Sequence, residues 1–442
     1  MEKRFRSWDV DQRWLLPPSV HDFVPAGHAA HLIRDAVRET LDLSAIYASY
    51  EGTRGQPPYH PGMMVALLLY AYSCGIYSSR RIARGCEERV DFMAVSGLER
   101  PDFRTISDFR KRHLKALGGL FGQVLGLCRR AGLVKLGHVA LDGTKIKANA
   151  SKHKAMSYGR MVKAEAALAA EVAAWFERAE ATDAEEDGEH GSDRRGDEMP
   201  GWVADKQQRL ARIREAKAAL EAEAREEAGE QGKSEKPRTK PEEPRPSDKA
   251  QRNFTDPQSR ILKTQDGFIQ GYNVQAAADA AHQVIVAHGL ADTGSDQNQL
   301  RPMIEAIRET AGRLPKELSA DAGYCSEDNL SGLNDHAIRG YIATGRHRHG
   351  SAAAVGAKAA PPGSLRAAMA QRLKRAGRRS RYRLRKVTIE PVFGHIKHAR
   401  GFRQFLLRGL HQVRHEWALV CIAHNLNKLA AHRAAPTQLA QA

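Results

Sequence analysis

The chain has 442 residues, long enough for two or three domains, with 69 Lys and Arg against 52 Asp and Glu and a formal net charge of +17. That balance favours a polyanionic partner, nucleic acid ahead of a membrane surface. Cys74, Cys86, Cys128, Cys325 and Cys421 are dispersed without a CxxC pair, which excludes a disulfide framework and a zinc finger. The opening MEKRFRSWDVDQ lacks an apolar signal core, and the longest apolar run, around Met63–Tyr72, is too short for a bilayer. A soluble, cytoplasmic, nucleoid-associated protein is expected.

In chain order, a helix is predicted over Ala26–Leu43, and Pro61 opens the apolar helix GMMVALLLYAYSCG. SSRRIARGCEERVDFMAVSG then reads as a basic helix, a turn and a short helix, and Asp102–Leu120 as a basic amphipathic helix behind cap-type residues. An apolar helix followed by short basic ones resembles a helix-turn-helix module. Arg80, Arg81 and Arg110 are its candidate DNA contacts, and a helical bundle with a solvated basic face is the plainer reading.

Over Leu133–Asn149 the period changes to that of a strand, with Asp142 at its end and Gly143 permitting a turn or bulge. A buried acid there costs free energy unless it is paired or bound to metal. Tyr158–Glu180 and Trp202–Glu227 read as the arms of a helical hairpin, followed by a Lys/Glu/Pro-rich stretch, Gly229–Arg252, expected to be disordered. Trp175 and Trp202 are expected in the hairpin core. This block reads as an insertion into a domain that resumes after it.

GFIQGYNVQAAAD and QVIVAHGL form a predicted β-hairpin, with Asp142's strand joining their sheet. Asp296–Arg313 is a helix and ELSADAG a short strand ending in Asp321. Ser326 caps a further helix, GYIAT is a strand, and His349–Arg372 is a loose linker. Asp256, Asp279 and Asp296 read as turn or cap residues, and His395, His398, His411 and His415 lack a metal-ligand pattern. Leu410–Ala431 closes the chain with Trp417, Leu419, Ile422 and Leu426 inward.

The segment Ser380–Arg403 carries the sharpest signal. Eighteen Lys and Arg lie between Arg346 and Arg414 against a single acid, Glu390. Written as a helix, Arg383, Lys386, Glu390, Gly394 and Lys397 share one face, beside an apolar stripe of Ile389, Phe393 and Ile396. Arg383, Arg385, Lys386 and Lys397 are further candidate DNA contacts. Pro391 requires Glu390 to lie in a first helical turn or at a bend. Three carboxylates on separate elements, Asp142, Asp321 and Glu390, can hold two divalent cations for an in-line phosphoryl displacement.

VALDGTKIKANAS, ELSADAGY and TIEPVFGHIK resemble the three acidic motifs of DDE transposases from bacterial insertion sequences. The resemblance implies an α+β chain with a mixed-sheet, ribonuclease H-like catalytic core flanked by helices. It assigns residues 1–132 to a helical DNA-binding domain, 133–156 and 253–442 to the catalytic domain, and 157–252 to the insertion and linker. Asp142, Asp321 and Glu390 match the catalytic, metal-binding acids, for two Mg²⁺ with Mn²⁺ able to substitute. Cleavage at the element's ends and strand transfer would follow, on double-stranded DNA carrying terminal inverted repeats and on target DNA, in a synaptic homodimer away from any membrane. A Tyr-Arg-Glu-Lys signature marks one branch of the group. Glu390 and Lys397 fit its spacing, whereas its Tyr and Arg positions fall on Arg383 and Lys386, with Tyr382 and Arg385 out of step. A nuclease without strand transfer and a DNA-binding protein with structural carboxylates remain alternatives.

Overall fold

The computed structural model describes residues 19–50, 57–190, 201–231, 245–264, 267–291, 293–346 and 353–439. Seven helices come first: α1 (Ala29–Glu39), α2 (Ser44–Tyr47), α3 (Pro61–Ser73), α4 (Ser79–Glu88), α5 (Val90–Ser96), α6 (Phe103–Arg112) and α7 (Leu114–Arg130). Pro61 sits at the start of α3, where its fixed φ and missing N–H cost nothing. Every residue of α3 except Met63 is buried, so it is a central helix packed on all sides. α4 buries Ile82, Gly85 and Cys86 and leaves Arg80 and Arg81 exposed. Gly97, at φ +63°, ends α5 in the left-handed cap that glycine adopts without strain. Asp102 caps α6, accepting from the Arg104 and Thr105 amides at 2.7 and 3.2 Å.

The mixed sheet contains β1 (His138–Lys147), β4 (Arg260–Thr264), β5 (Gly267–Asp279), β6 (Ile285–Ala291), β7 (Glu317–Ala320) and β8 (Arg339–Ile342), ordered β4-β5-β1-β7-β8 with β6 also on β5. β5 runs antiparallel to β1, whereas β1, β7 and β8 are parallel. Asp142 is fifth of ten residues in β1, not at its end, because Gly143–Lys147 continue the ladder opposite Gly271–Gln275. Gly143 is accordingly a regular strand position rather than a turn. β7 pairs only with His138–Ala140, so Asp142 lies just past the parallel ladder.

Between β1 and β5 the chain leaves the sheet. β2 (Ala155–Ser157) pairs antiparallel with β3 (Gln251–Asn253), closing the base of a hairpin of α8 (Tyr158–His190) and α9 (Gly201–Gln231). Glu165 pairs with Arg214 and Lys217 while Glu171 pairs with Lys206, so the two helices run antiparallel. Tyr158, Met161, Ile213, Ala216 and Leu220 form a small core of their own. The side chains of Trp175 and Trp202, and most of the stretch expected to be disordered, lie outside the described residues.

After β6 come α10 (Leu300–Ala311), and after β7, α11 (Glu327–Asp335); α12 (Leu365–Ala376), α13 (Leu384–Gly394) and α14 (Leu410–Leu439) follow β8. The linker expected to reach Arg372 gives way earlier, since Ser364 caps α12 and Glu327 accepts from the Leu365 and Arg366 amides at 2.9 and 3.1 Å. α14 buries Trp417, Leu419, Ile422 and Leu426 completely. It bonds to the sheet through Trp417 Nε1 to Gln275 O at 3.0 Å, and to α3 through Asn427 Nδ2 to Ser73 O at 3.0 Å. One hydrophobic core therefore runs from α1 through α14 into the sheet. Among the described residues no helix is long and apolar enough to cross a membrane.

Candidate active site

The parallel register brings two acids just past the same end of the β1–β7 ladder. Ala140 pairs with Ser319, and Asp142 and Asp321 each follow two residues later. Asp321 begins the turn Ala322–Tyr324, its Oδ1 accepting from Gly323 N at 2.8 Å. Asp142 accepts from Gly143 N at 3.0 Å and, through Oδ2, from Arg385 Nη2 at 2.7 Å. Arg385 Nη1 also donates to Glu390 Oε1 at 3.2 Å, so one guanidinium joins the β1 acid to the α13 acid. Asp142 and Arg385 are mostly buried, whereas the Glu390 side chain is 50% exposed.

Burial pushes the Asp142 carboxyl up to about 6; Arg385 opposes the shift and Asp321 adds to it. Asp321 is also raised, by burial first, with Gly323 and Arg385 opposing and Asp296 adding. Like charges crowded in a low dielectric call for cations. An all-oxygen donor set suits a hard divalent ion such as Mg²⁺. Among the described residues no three His, Cys, Asp or Glu side chains stand close enough to hold one ion as they are. Arg385 occupies the space between Asp142 and Glu390.

Asp296 is the acid that sequence reasoning missed. It precedes the turn Gln297–Gln299, but its side chain makes no cap bond there. Its Oδ1 accepts instead from Asn273 Nδ2 and Gln275 Nε2 of β5, both at 2.8 Å. Gln275 Oε1 in turn accepts from the Tyr324 hydroxyl, in the turn that Asp321 opens. A Cβ on Gly143 would stand 2.5 Å from Asp296 Oδ1 and from Gln275 Nε2. The glycine after Asp142 is thus room for this network. Asn273 and Gln275, alternating on the strand that pairs with Asp142's, were the available signal. Asp256 and Asp279 are the turn residues expected: Asp256 accepts from Tyr272 Oη at 2.7 Å and Asp279 from Lys135 N at 3.1 Å and Ala281 N at 2.8 Å.

The basic residues separate into three groups. Arg80, Arg81, Arg383 and Lys386 are exposed; Arg80 lies over the Phe103 ring at 4.5 Å, and Arg383 donates to Arg378 O at 3.1 Å. Arg110, expected to face DNA, is 5% exposed and donates to Tyr77 O at 2.7 Å and Ser79 Oγ at 3.3 Å. It ties α6 to the α3–α4 turn and is corrected here to a structural residue. Arg385 and Lys397 belong to the acid site itself. Lys397 Nζ donates to Thr144 Oγ1 and to Lys145 O, the latter at 2.9 Å. Burial lowers its pKa, with Arg403 adding and Asp142 opposing.

Of the helical face expected for Arg383, Lys386, Glu390, Gly394 and Lys397, only Lys386, Glu390 and Gly394 lie within one α-helix. Arg381–Arg383 is a turn of 3₁₀-helix, α13 starts at Leu384, and His395–Ala399 is a π-turn. Three different pitches shift the side chains. Arg385, not Arg383 or Lys386, reaches the acids. Tyr382 lies close enough that Arg385, Asp321, Asp142 and Glu390 all act on its hydroxyl, which burial raises most.

Residues 18–112 match the family described as Transposase domain (DUF772), and residues 350–430 match the Transposase DDE domain. No curated protein and no solved structure matches the chain. The first match spans α1–α6 and the second covers Glu390, Arg385 and Lys397 while leaving Asp142 and Asp321 outside. The helical start and the helix that carries the lone acid of the basic field thus each match a transposase family model.

Proposed function

We propose that the chain cuts DNA at the ends of its element and joins them to target DNA by metal-dependent phosphoryl transfer, with Asp142, Asp321 and Glu390 as the metal-holding acids. The observation that carries the reading is the arrangement of those acids. Asp142 and Asp321 lie just past one end of the parallel β1–β7 ladder, and Arg385 bonds both Asp142 and Glu390 of α13. The sheet order, read outward from β1 as β5 and β6 on one side and β7 and β8 on the other, is that expected of a ribonuclease H-like core. Two Mg²⁺ would supply charge neutralisation at the attacking and leaving oxygens. Asp142, Asp321 and Glu390 would hold them.

The chain's own residues do the rest. Exposed Arg80, Arg81, Arg383 and Lys386 hold DNA phosphates. Arg385 neutralises the paired acids, and Tyr382 stands beside it. Residues 1–132 recognise the terminal repeats, 157–252 is an insertion, and 133–156 with 253–442 form the catalytic domain, in a dimer that holds both ends.

Asp142→Ala, Asp321→Ala and Glu390→Ala are each expected to abolish Mg²⁺-dependent cleavage of an end-containing duplex and to leave binding of that duplex within about threefold, since phosphate contacts come from Lys and Arg. A variant that still cuts at near wild-type rate removes its residue from the site. Joining of a labelled 3′ end to target DNA distinguishes a transposase from a nuclease that only cuts.

A further inference from the structure

Pro391 stands eighth in α13, where a proline brings no N–H to the carbonyl four residues back and its ring crowds that carbonyl. The carbonyl is that of Val387, and it is met from outside the helix. Gln283 Nε2, from the turn between β5 and β6, donates to Val387 O at 2.8 Å. Gln283 sits at φ +60°, uncommon for a residue with a side chain. Its side-chain and backbone oxygens are held by α14. Lys428 Nζ donates to Gln283 Oε1 at 2.7 Å, and His424 Nε2 donates to Gln283 O at 2.8 Å. Because an ammonium can only donate, the amide oxygen must face Lys428 and the amide nitrogen must face α13. The orientation of the Gln283 side chain is therefore set by chemistry.

Glu390 lies between this bonded carbonyl and the π-turn His395–Ala399, whose Lys397 is in turn fastened to β1. The helix is thus held on both sides of Pro391. We infer that Gln283 is a positioning residue for Glu390: it satisfies the carbonyl that Pro391 leaves open and so fixes the path of α13 over β1. The inference rests on the reading of Glu390 as a metal-holding acid. The plainer role for Gln283 is a staple between the β5–β6 turn and α14, which would act without regard to Pro391.

The test is a double-mutant cycle in the full-length chain. Pro391→Ala returns an N–H that can meet Val387 O, so a loss caused by Gln283→Leu should depend on which residue stands at 391. Mn²⁺ affinity is read from the free-ion EPR signal, alongside single-turnover cleavage and binding of uncut end DNA. Gln283→Leu alone is expected to weaken Mn²⁺ binding as Glu390→Ala does and to slow cleavage about tenfold or more, with end binding unchanged. In the Pro391→Ala background the same substitution should change both by less than about twofold. Equal losses in both backgrounds, or no loss in Mn²⁺ affinity from Gln283→Leu alone, overturn the inference. Should Glu390→Ala itself leave Mn²⁺ binding and cleavage intact, the metal-site reading fails instead. Amide exchange at Thr388–Glu390 then decides about Gln283, with acceleration by Gln283→Leu confined to the proline background supporting the bracket and any other pattern overturning it.

Discussion

At Asp142, a strand that wants apolar residues and a chemistry that wants a carboxylate meet in one side chain. Burial wins over the Arg385 pair and leaves the carboxyl near 6. Because a cation binds only the ionised form, apparent Mn²⁺ affinity should fall as pH drops through about 6, approaching tenfold per unit below it. A titration from pH 8 to pH 5 checks this, and an affinity that is flat across that range refutes it. Gly143 answers to the same site from the other face of β1. Gly143→Ala would drive a methyl into Asp296 and Gln275 and should lower stability by about 1–3 kcal/mol, measured by denaturant unfolding. Lys397 differs from a surface cation such as Arg378 in that β1 oxygens already hold its ammonium. Lys397→Ala should therefore cost about 1.5–3 kcal/mol of stability as well as cleavage rate, whereas Arg378→Ala should do neither.

Among the elements, those whose identity follows from local pattern were legible in the sequence. The α3 apolar run, the β5–β6 hairpin and the inward face of α14 could be read directly from hydrophobic period. What was not legible depended on partners distant in sequence. Asp142 was expected at a strand end because nothing local reveals that β1 continues along β5 after β7 has stopped. Arg110 looked like a groove-facing cation because only the folded chain brings Tyr77 and Ser79 to it. The spacing around Glu390 misled for another reason: it assumed one pitch where the chain uses three. The α8–α9 hairpin, with its own core and a base closed by Tyr158 N to Ala250 O at 2.8 Å, is energetically self-contained. Replacing residues 160–247 with a short Gly/Ser linker should leave the melting temperature of the rest within a few degrees, as loop-closure cost grows only slowly with length. A collapse of the main transition would mean that the hairpin supports the sheet.

Across the whole molecule, recognition and chemistry share one interior. α3 packs on α14, and α14 packs on the sheet, so the helical first third is not a bead on a string. Burying each Leu of α3 contributes about 1.5–3 kcal/mol, and much of that burial is against distant parts of the chain. Binding of the intact chain to its ends should weaken steeply with salt through counterion release, by about 10³-fold or more from 50 to 200 mM if six or more phosphates are engaged. A shallow salt slope would leave the excess of basic residues without its expected partner.

The placement of α3 also bears on how the protein is made. A ribosome finishes this apolar helix about 340 residues before α14 begins to supply its far-side partner, and at typical synthesis speeds that wait is roughly 20–70 s. During it, β1 likewise awaits β5 and β7, held off by the intervening hairpin. The nascent chain should therefore be a strong client for chaperones, and a message cut short before α14 should yield an aggregate rather than a DNA-binding fragment. Translation of α14 would then set the moment at which this core first closes.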